Sequence, residues 1–421
     1  FVGTDFHKRL LKNIIYSDWN TFSRLATHRM NIALEQELER YDKGSSSQKV
    51  VVHDVFTLAR KTILHTILSC FVGTCMVQDD SLLEDLMELQ DKIEDATAAG
   101  AVLPRWIANP LIYNPTRQFR LQVQTQIANV IDNARQTEVS SSSAPKLSTE
   151  NDATTFYGPW LEAMDQDGMK SNVMAELIVG LVFAAHKNPA IGAAQSFCHL
   201  LEHAQFEMPI TVSDKSDAAT QSRHLKDLVE MEAQKIVAQT PSLSWDDLET
   251  NAPTLRSCVS ETTRITAHSI GSIRQVCQET TLTDSHGQAY TVYPGETIAA
   301  SHYLYSVSRE LFPQQGAAYR PDVALALDQA RRSDEGRNSA KTQVRTFSAG
   351  VHKCAGERIA MILMQYFVAL LLERKACLAT AKMNGGGPSK QTLPPVSFER
   401  ATLAQRDGPV SIQLLLRQPA P

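Results

Sequence analysis

One cysteine stands in a glycine-punctuated loop, and its surroundings could do chemistry. Residues 347–356 read FSAGVHKCAG, and an apolar helix is predicted to follow from Glu357 to about Leu372. Glycines let a flat, bulky group lie against the backbone where a Cβ would collide. A helix start aims unpaired N–H groups and partial positive charge at the sulfur, which lowers a thiol pKa. The loop therefore indicates a thiolate ligand for such a group, the alternative being a chance loop before a core helix.

The spacing F-x-x-G-x-H-x-C-x-G resembles the haem-ligand loop of the cytochrome P-450 family at every fixed position. The resemblance implies that Cys354 is the proximal ligand of the iron of haem b. It also implies that Phe347 covers one side of the sulfur, and that Gly350 and Gly356 shape the loop. His352 would meet the anionic rim of the haem.

Two further basic residues are candidates for the haem propionates. Arg274 stands ten residues after Arg264, where the family often places a propionate-binding arginine. Lys12 belongs to a basic cluster at residues 7–12. The alternative for that cluster is an ordinary solvated helix face.

Glu261 and Arg264 form an E-x-x-R pattern, which puts both side chains on one face of a helix. Such pairs are common, but this one precedes Cys354 by about ninety residues, where the family keeps it. The resemblance implies a buried pair that braces the loop. A third arginine of the family's network is replaced by Val323, although Arg320 is near.

Residues 174–203 predict a central helix, because the stretch begins apolar on all sides. Pro189 has no N–H for the carbonyl of Ala185, so the helix should kink or open there. The resemblance makes this stretch the distal wall of the haem pocket. Lys187 and Asn188 then replace the usual acid and alcohol, and are the candidate catalytic residues. Lys187 could face the pocket or point away into solvent; a proline kink with satisfied polar residues is the structural alternative.

The resemblance extends to the sterol 14α-demethylase-like branch, through the segment 290–312, residues 103–106 and the C-terminal segment. It implies a monooxygenase that oxidises an apolar, terpenoid or steroidal, molecule of secondary metabolism, with electrons from NADPH through a flavoprotein reductase. Oxygen-independent isomerisation or dehydration, and a degenerate ligand-binding protein, are the alternatives. The expected substrate-lining residues are Phe183, Ala184, Ala185, Ser269, Ile270, Gly271, Thr402 and Leu403.

Length and composition allow one large domain with an ample core, although two or three ordinary domains would also fit the length. The 421 residues are 43% hydrophobic, and a net charge of −5 without a basic stripe argues against nucleic acid as a partner. Seven cysteines without a CxxC pair suggest free thiols in a reducing compartment. The predicted fold class is mainly α with small β-sheets, a single haem-thiolate domain over residues 1–421.

The resemblance also predicts what lies outside the domain. A P-450-like fold would lack its usual N-terminal anchor and first elements here. We expect attachment to the cytosolic face of the endoplasmic reticulum membrane only through that anchor, since no segment looks long enough to span a bilayer. Residues 137–155, rich in Ser and Thr, predict a flexible connector.

Patterns of hydrophobicity and breakers predict the remaining elements. Helices are expected over 6–41 with a new N-cap at Ser17-Asp18, 52–75, 81–98, 117–134, 225–238 and 253–268. A proline-bounded loop is expected over 101–110, strands over 273–276 and 290–295, and a hairpin over 402–416.

Overall fold

The computed structural model describes residues 11–12, 16–42, 49–141, 156–211, 220–268, 271–332, 346–350, 353–381, 389–390, 392–398 and 402–417. Helices dominate, as predicted. They are α1 (Trp19–Tyr41), α2 (Val55–Phe71), α3 (Asp80–Val102), α4 (Arg105–Ala108), α5 (Asn114–Ser141), α6 (Pro159–Gln166), α7 (Ser171–Ala185), α8 (Lys187–Glu202), α9 (Leu225–Val237), α10 (Trp245–Asn251), α11 (Pro253–Ile265), α12 (His302–Val307), α13 (Pro321–Arg332) and α14 (Glu357–Glu373).

The strands are short and antiparallel. They are β1 (Lys49–Val52), β2 (Glu207–Thr211), β3 (Thr220–His224), β4 (Ser272–Gln275), β5 (Thr280–Thr283), β6 (Ala289–Val292), β7 (Thr297–Ala300), β8 (Cys377–Leu378), β9 (Thr380–Ala381), β10 (Ser389–Lys390), β11 (Val396–Ser397), β12 (Gln405–Arg406) and β13 (Ile412–Leu415). One sheet has the order β1-β13-β8, and the other strands pair as β2-β3, β4-β7, β5-β6, β9-β10 and β11-β12.

Helix α14 is the centre of the core, and every residue from Ile359 to Leu372 is buried. Its sequence allows this because Gln365 is the sole strongly polar residue in that run. Helix α8 packs against it with Gly192 beside Met364, where a Cβ would collide with the methionine sulfur. A larger residue at this position would require the buried Met364 side chain to move.

Several local predictions are confirmed and others are wrong. Asp18 caps α1 by accepting a hydrogen bond from the Thr21 N–H at 3.2 Å. Residues 101–110 are not a loop, because α3 runs on to Val102 and α4 begins at Arg105, followed by a π-helical turn over Asn109–Tyr113. Pro104 and Pro110 stand near helix starts, where a missing N–H is tolerated.

A predicted connector and a predicted hairpin also differ from the structure. Helix α5 continues to Ser141, so the connector predicted over 137–155 begins as helix, and its residues 142–155 lie outside the described residues. The hairpin predicted over 402–416 is wrong as a pairing. Strand β12 pairs with the nearby β11, whereas β13 pairs with β8 and with β1, which is distant in sequence, so β12 and β13 do not pair with each other.

Residues 171–202 are long and apolar enough to cross a membrane by length and composition, contrary to expectation. The stretch is broken into α7 and α8 at His186, and 61% of its most apolar window is buried inside the protein. A buried core helix passes the same test, so the finding is weak evidence for a span.

Candidate active site

Cys354 lies exposed in a tight loop directly before α14. The Cys354 N–H donates to the Phe347 carbonyl at 2.8 Å, and the Lys353 N–H donates to the Gly350 carbonyl at 3.1 Å. Gly350 has a φ of +66°, which glycine adopts without strain. A Cβ at Gly350 would meet no atom of the described residues within 4 Å, so among these residues the space beside the loop is open.

The pKa of the Cys354 thiol is raised overall, mainly because surrounding protein removes water from it. The Gly356 N–H lowers this pKa, and the Glu357 carboxylate raises it. The predicted effect of the helix start is therefore present in the Gly356 N–H but does not dominate. Glu357, in the first turn, is paired with Lys353 at 2.5 Å.

An aromatic group from the start of the chain supports the loop. The Tyr16 hydroxyl donates a hydrogen bond to the carbonyl of Ala355, the residue after Cys354. Burial, followed by the nearby Cys354, raises the pKa of Tyr16 to about 12. The Arg358 guanidinium lies 5.0 Å from the Trp19 ring centre. Sequence reasoning missed this contact, since no spacing pattern links residues so far apart.

Glu261 and Arg264 form a bidentate pair that is completely buried. Arg264 Nε is 2.8 Å from Glu261 Oε2, and one terminal nitrogen is 2.7 Å from Oε1. The remaining Arg264 hydrogens go to the carbonyls of Ser306, Gly316 and Ala318. Burial raises the pKa of Glu261, and Arg264 opposes that shift.

The arginine missing at Val323 is replaced by other donors. Gln315 Nε2 donates to Glu261 at 3.0 Å, and the backbone N–H of Arg320 donates at 2.9 Å. The Arg320 side chain pairs with Asp322 instead. The pair's helix reaches the cysteine loop through Thr346, whose hydroxyl donates to the Thr263 carbonyl at 2.8 Å.

Strand β4 also reaches the loop. The Ser272 and Ser348 hydroxyl oxygens are 3.3 Å apart. Two residues further, Arg274 is exposed, and its guanidinium donates to the carbonyl of Ile273 at 2.8 Å. Lys12 is also exposed. Three predicted residues, His352, Ser269 and Ile270, lie outside the described residues.

Lys187 and Asn188 point in different directions. Lys187 Nζ lies 2.8 Å from Asp91 and 2.5 Å from Glu94 of α3, and its side chain is only 4% exposed. It is therefore ion-paired inside the protein, and neither free in a pocket nor solvated. Asn188 Oδ1 accepts a hydrogen bond from the Leu403 N–H at 3.2 Å.

The predicted substrate-lining residues fall into two groups. Phe183 is 46% exposed and Ala184 is exposed, although α7 is otherwise strongly apolar. Ala185 and Gly271 are partly exposed. Thr402 and Leu403 are buried, and Leu403 contacts the central helices through its backbone hydrogen bond to Asn188.

A cavity of about 480 Å³ borders the cysteine loop between α10, α11, α13 and α14. Its lining includes Phe347 and Gly350, but also the ion-paired Glu249, Arg256 and Asp328. Of the predicted substrate-lining residues that the structure describes, none borders it. Phe183 therefore does not face this cavity.

These observations fit a haem. Cys354 is an exposed residue at a helix start, with no described atom in the space beside Gly350, and so offers a ligand that can reach a flat group. Cys354 would hold the iron, and Arg274 would meet the haem carboxylates. Phe183 and Ala184 are exposed apolar residues.

Comparison with known proteins agrees with this fit. Residues 220–377 match the family model described as cytochrome P-450. A cytochrome P-450 monooxygenase of Gibberella zeae is 20% identical over 376 residues, which are 87% of this chain and 64% of that protein. The chain thus spans less than two thirds of that relative's length.

The comparison of structures covers more of the chain than the comparisons of sequence. The crystal structure of the cytochrome P-450 CYP102L1 matches with a TM-score of 0.62 and 15% identity, covering 99% of this chain and 80% of that one. At this identity the likeness shows the fold alone. The chain has the cytochrome P-450 fold, and in sequence it is similar to the cytochrome P-450 family model over residues 220–377 and to the fungal monooxygenase.

Proposed function

We propose that this protein is a haem-thiolate monooxygenase, with Cys354 as the proximal ligand. The observation that carries the proposal is the position of Cys354, an exposed residue directly before α14, in a loop tied to the helix of the buried Glu261–Arg264 pair. Haem bound at this thiolate supplies redox and oxygen chemistry. The protein's own part is to fix the sulfur, bind the propionates through Arg274 and present an apolar surface at Phe183 and Ala184.

The cysteine assignment is tested by carbon monoxide difference spectroscopy of the reduced protein. The wild type should bind haem and give the thiolate-type Soret band, and Cys354→Ala should lose it because no other strong soft donor stands in the loop. Cys377→Ala is the matched control, since Cys377 is also an exposed free cysteine. A Cys354→Ala variant that keeps the band would refute the assignment.

Oxygen-independent isomerisation or dehydration is the second candidate, and one observation favours it. Neither Lys187 nor Asn188 is free to deliver a proton. Lys187 is paired with two carboxylates, and an amide is a very poor proton donor. Water beside the α7–α8 break would have to supply protons for oxygen chemistry. Product formed anaerobically without a reductase would overturn the monooxygenase proposal.

An apolar terpenoid or steroidal substrate suits the surface at Phe183 and Ala184, and we retain it as part of the proposal. A sterol 14α-demethylase-like branch, a role in secondary metabolism, and NADPH electrons from a flavoprotein reductase also remain proposals. Turnover of a terpenoid panel with NADPH and reductase, scored against reductase-free samples, tests them together. Turnover that needs neither component would contradict the electron supply.

We also retain the endoplasmic reticulum membrane as the location, and add a contact made by this chain itself. Val102, Trp106 and Leu111 are 82%, 77% and 71% exposed on consecutive helical turns. Exposed Arg105 lies among them, and such a mixture suits a lipid headgroup boundary. Trp106→Asp should weaken flotation with liposomes that contain anionic lipid. Leu304→Asp, at an apolar residue 67% exposed on α12, should not.

A further inference from the structure

Four charged side chains from three helices meet beside the α7–α8 break, and we call them the Lys187 cluster. They are Arg60 of α2, Asp91 and Glu94 of α3, and Lys187 of α8. Arg60 pairs with Asp91 at 2.9 Å, and Lys187 pairs with both carboxylates. Two cations face two anions, so the cluster has no net charge. The buried charge of Lys187 is therefore compensated by its neighbours.

Gln90 connects the same helix α3 to the break itself. Its Nε2 donates to the carbonyl of Phe183 at 3.3 Å. Its Oε1 lies 2.8 Å from Nδ1 of His186, whose Nε2 is 3.0 Å from the Arg60 carbonyl. Gln90 and His186 are both buried, so these contacts lie away from water, and the neutral imidazole of His186 donates its one N–H to one of the two oxygens. Helix α3 is thus fixed to both sides of the break.

The direction of Lys187 determines the direction of its neighbour. Successive residues of a helix point about 100° apart. With Lys187 held toward α3, Asn188 turns to Leu403, where its Oδ1 accepts the backbone N–H. The same contacts hold α3 next to the exposed Phe183, so a ligand bound at this residue lies beside a restrained helix.

We infer that Lys187 is a positioning residue: through Asp91 and Glu94 it locks α3 onto the α7–α8 break, and so restricts which apolar ligands reach Phe183 and Asn188. Lys187 acts through the lock and touches no reacting atom. The location of the ligand rests on the proposed function, but the lock itself rests only on the contacts described. Removing the ion pairs of Lys187 with Asp91 and Glu94 should make α3 more mobile and raise the association rate of bulky ligands.

The test uses haem-loaded protein and two azole probes of different size, imidazole and 4-phenylimidazole, whose binding shifts the Soret band. Lys187→Met should raise the association rate of 4-phenylimidazole by about fivefold relative to imidazole. Glu94→Gln leaves the Arg60–Asp91 pair intact and should give a smaller increase. It tests the same contact with a milder change, in case Lys187→Met does not fold. Lys187→Arg should restore the wild-type ratio. Lys92→Met is the matched control, because Lys92 forms an exposed pair with Glu88 on the same helix.

Hydrogen–deuterium exchange of the peptide over residues 80–102 supplies a second readout that needs no ligand. Lys187→Met should speed exchange there, and Lys92→Met should not. A lower melting temperature with unchanged azole rate ratio and unchanged exchange would overturn the proposal, because it would mean that Lys187 only stabilises the fold. If the wild type gave no azole shift, the proposed function would fail, while the exchange experiment would still decide whether the lock exists.

Discussion

The buried Glu261–Arg264 pair shows what one residue contributes. Every described donor and acceptor of the pair is used, so removal of either side chain leaves charge without compensation. Glu261→Ala should cost about 3–5 kcal/mol of the free energy of unfolding. Urea denaturation and haem content measure this loss.

Arg320→Ala provides the comparison for that measurement. The Arg320–Asp322 pair is partly exposed, and such pairs contribute about 0–1 kcal/mol. Equal losses for the two variants would mean that the Glu261–Arg264 pair does not brace the fold.

The sequence predicted the pair but not its full set of partners. The E-x-x-R spacing puts Glu261 and Arg264 on one helix face because helical periodicity is local. Gln315 and the Arg320 N–H occupy the place expected of an arginine at Val323, and only the tertiary path of residues 306–320 brings them there. The cysteine loop could be predicted because its motif is also local in sequence. The hydrogen bond from the Tyr16 hydroxyl to the Ala355 carbonyl could not, because the two residues are far apart in the chain.

At the level of elements, the contact between α8 and α14 depends on a glycine. A Cβ at Gly192 would collide with Met364 and lie 3.4 Å from Leu403. Gly192→Ala should therefore lower stability by about 1–3 kcal/mol despite alanine's better helix propensity. Met364→Ala in the same chain should recover part of this loss, as measured by thermal unfolding. A stabilised single variant would show that the helices can separate without cost.

The central helices also show the limit of prediction from pattern. Pro189 predicted an opening near Ala185, and the break occurs at His186, because a proline ring disturbs the preceding turn. The direction of Lys187 was not predictable, since its partners Asp91 and Glu94 lie about a hundred residues earlier. The incorrect hairpin over 402–416 has a similar origin: β13 pairs with β1, which is distant in sequence, and such a pairing leaves no local pattern.

For the whole molecule, buried histidines predict a dependence of stability on pH. Burial lowers the pKa of His199 to about 3, of His186 to about 3 and of His65 to about 4. His199 is held neutral, since Gln195 Nε2 donates to its Nε2 at 3.1 Å and its Nδ1 donates to the Thr262 hydroxyl at 3.1 Å. In the unfolded chain a histidine has a pKa of about 6.5.

The three buried, neutral histidines stabilise the fold most at high pH. Their stabilising contribution is fully present above pH 6.5 and declines as the pH falls, because the unfolded chain then takes up protons that the folded protein excludes. Each histidine should contribute a slope of about 1.4 kcal/mol per pH unit below that point. Urea unfolding at pH 7, 6 and 5 measures the slope, and His199→Gln should flatten it by one histidine's share. A slope identical to that of the wild type would contradict the assignment of a neutral His199.

The sheet β1-β13-β8 has a consequence for synthesis. Strand β1 ends at Val52, and its register partner is Ile412, near the other end of the described chain. Loops of this length close slowly, and proteins with distant pairings fold slowly. During translation β1 has no partner until residues 412–415 have left the ribosome. The nascent protein must therefore keep this unpaired strand edge from aggregating while residues 53–411 are synthesised, and a chain that stops before residue 412 cannot form this sheet at all.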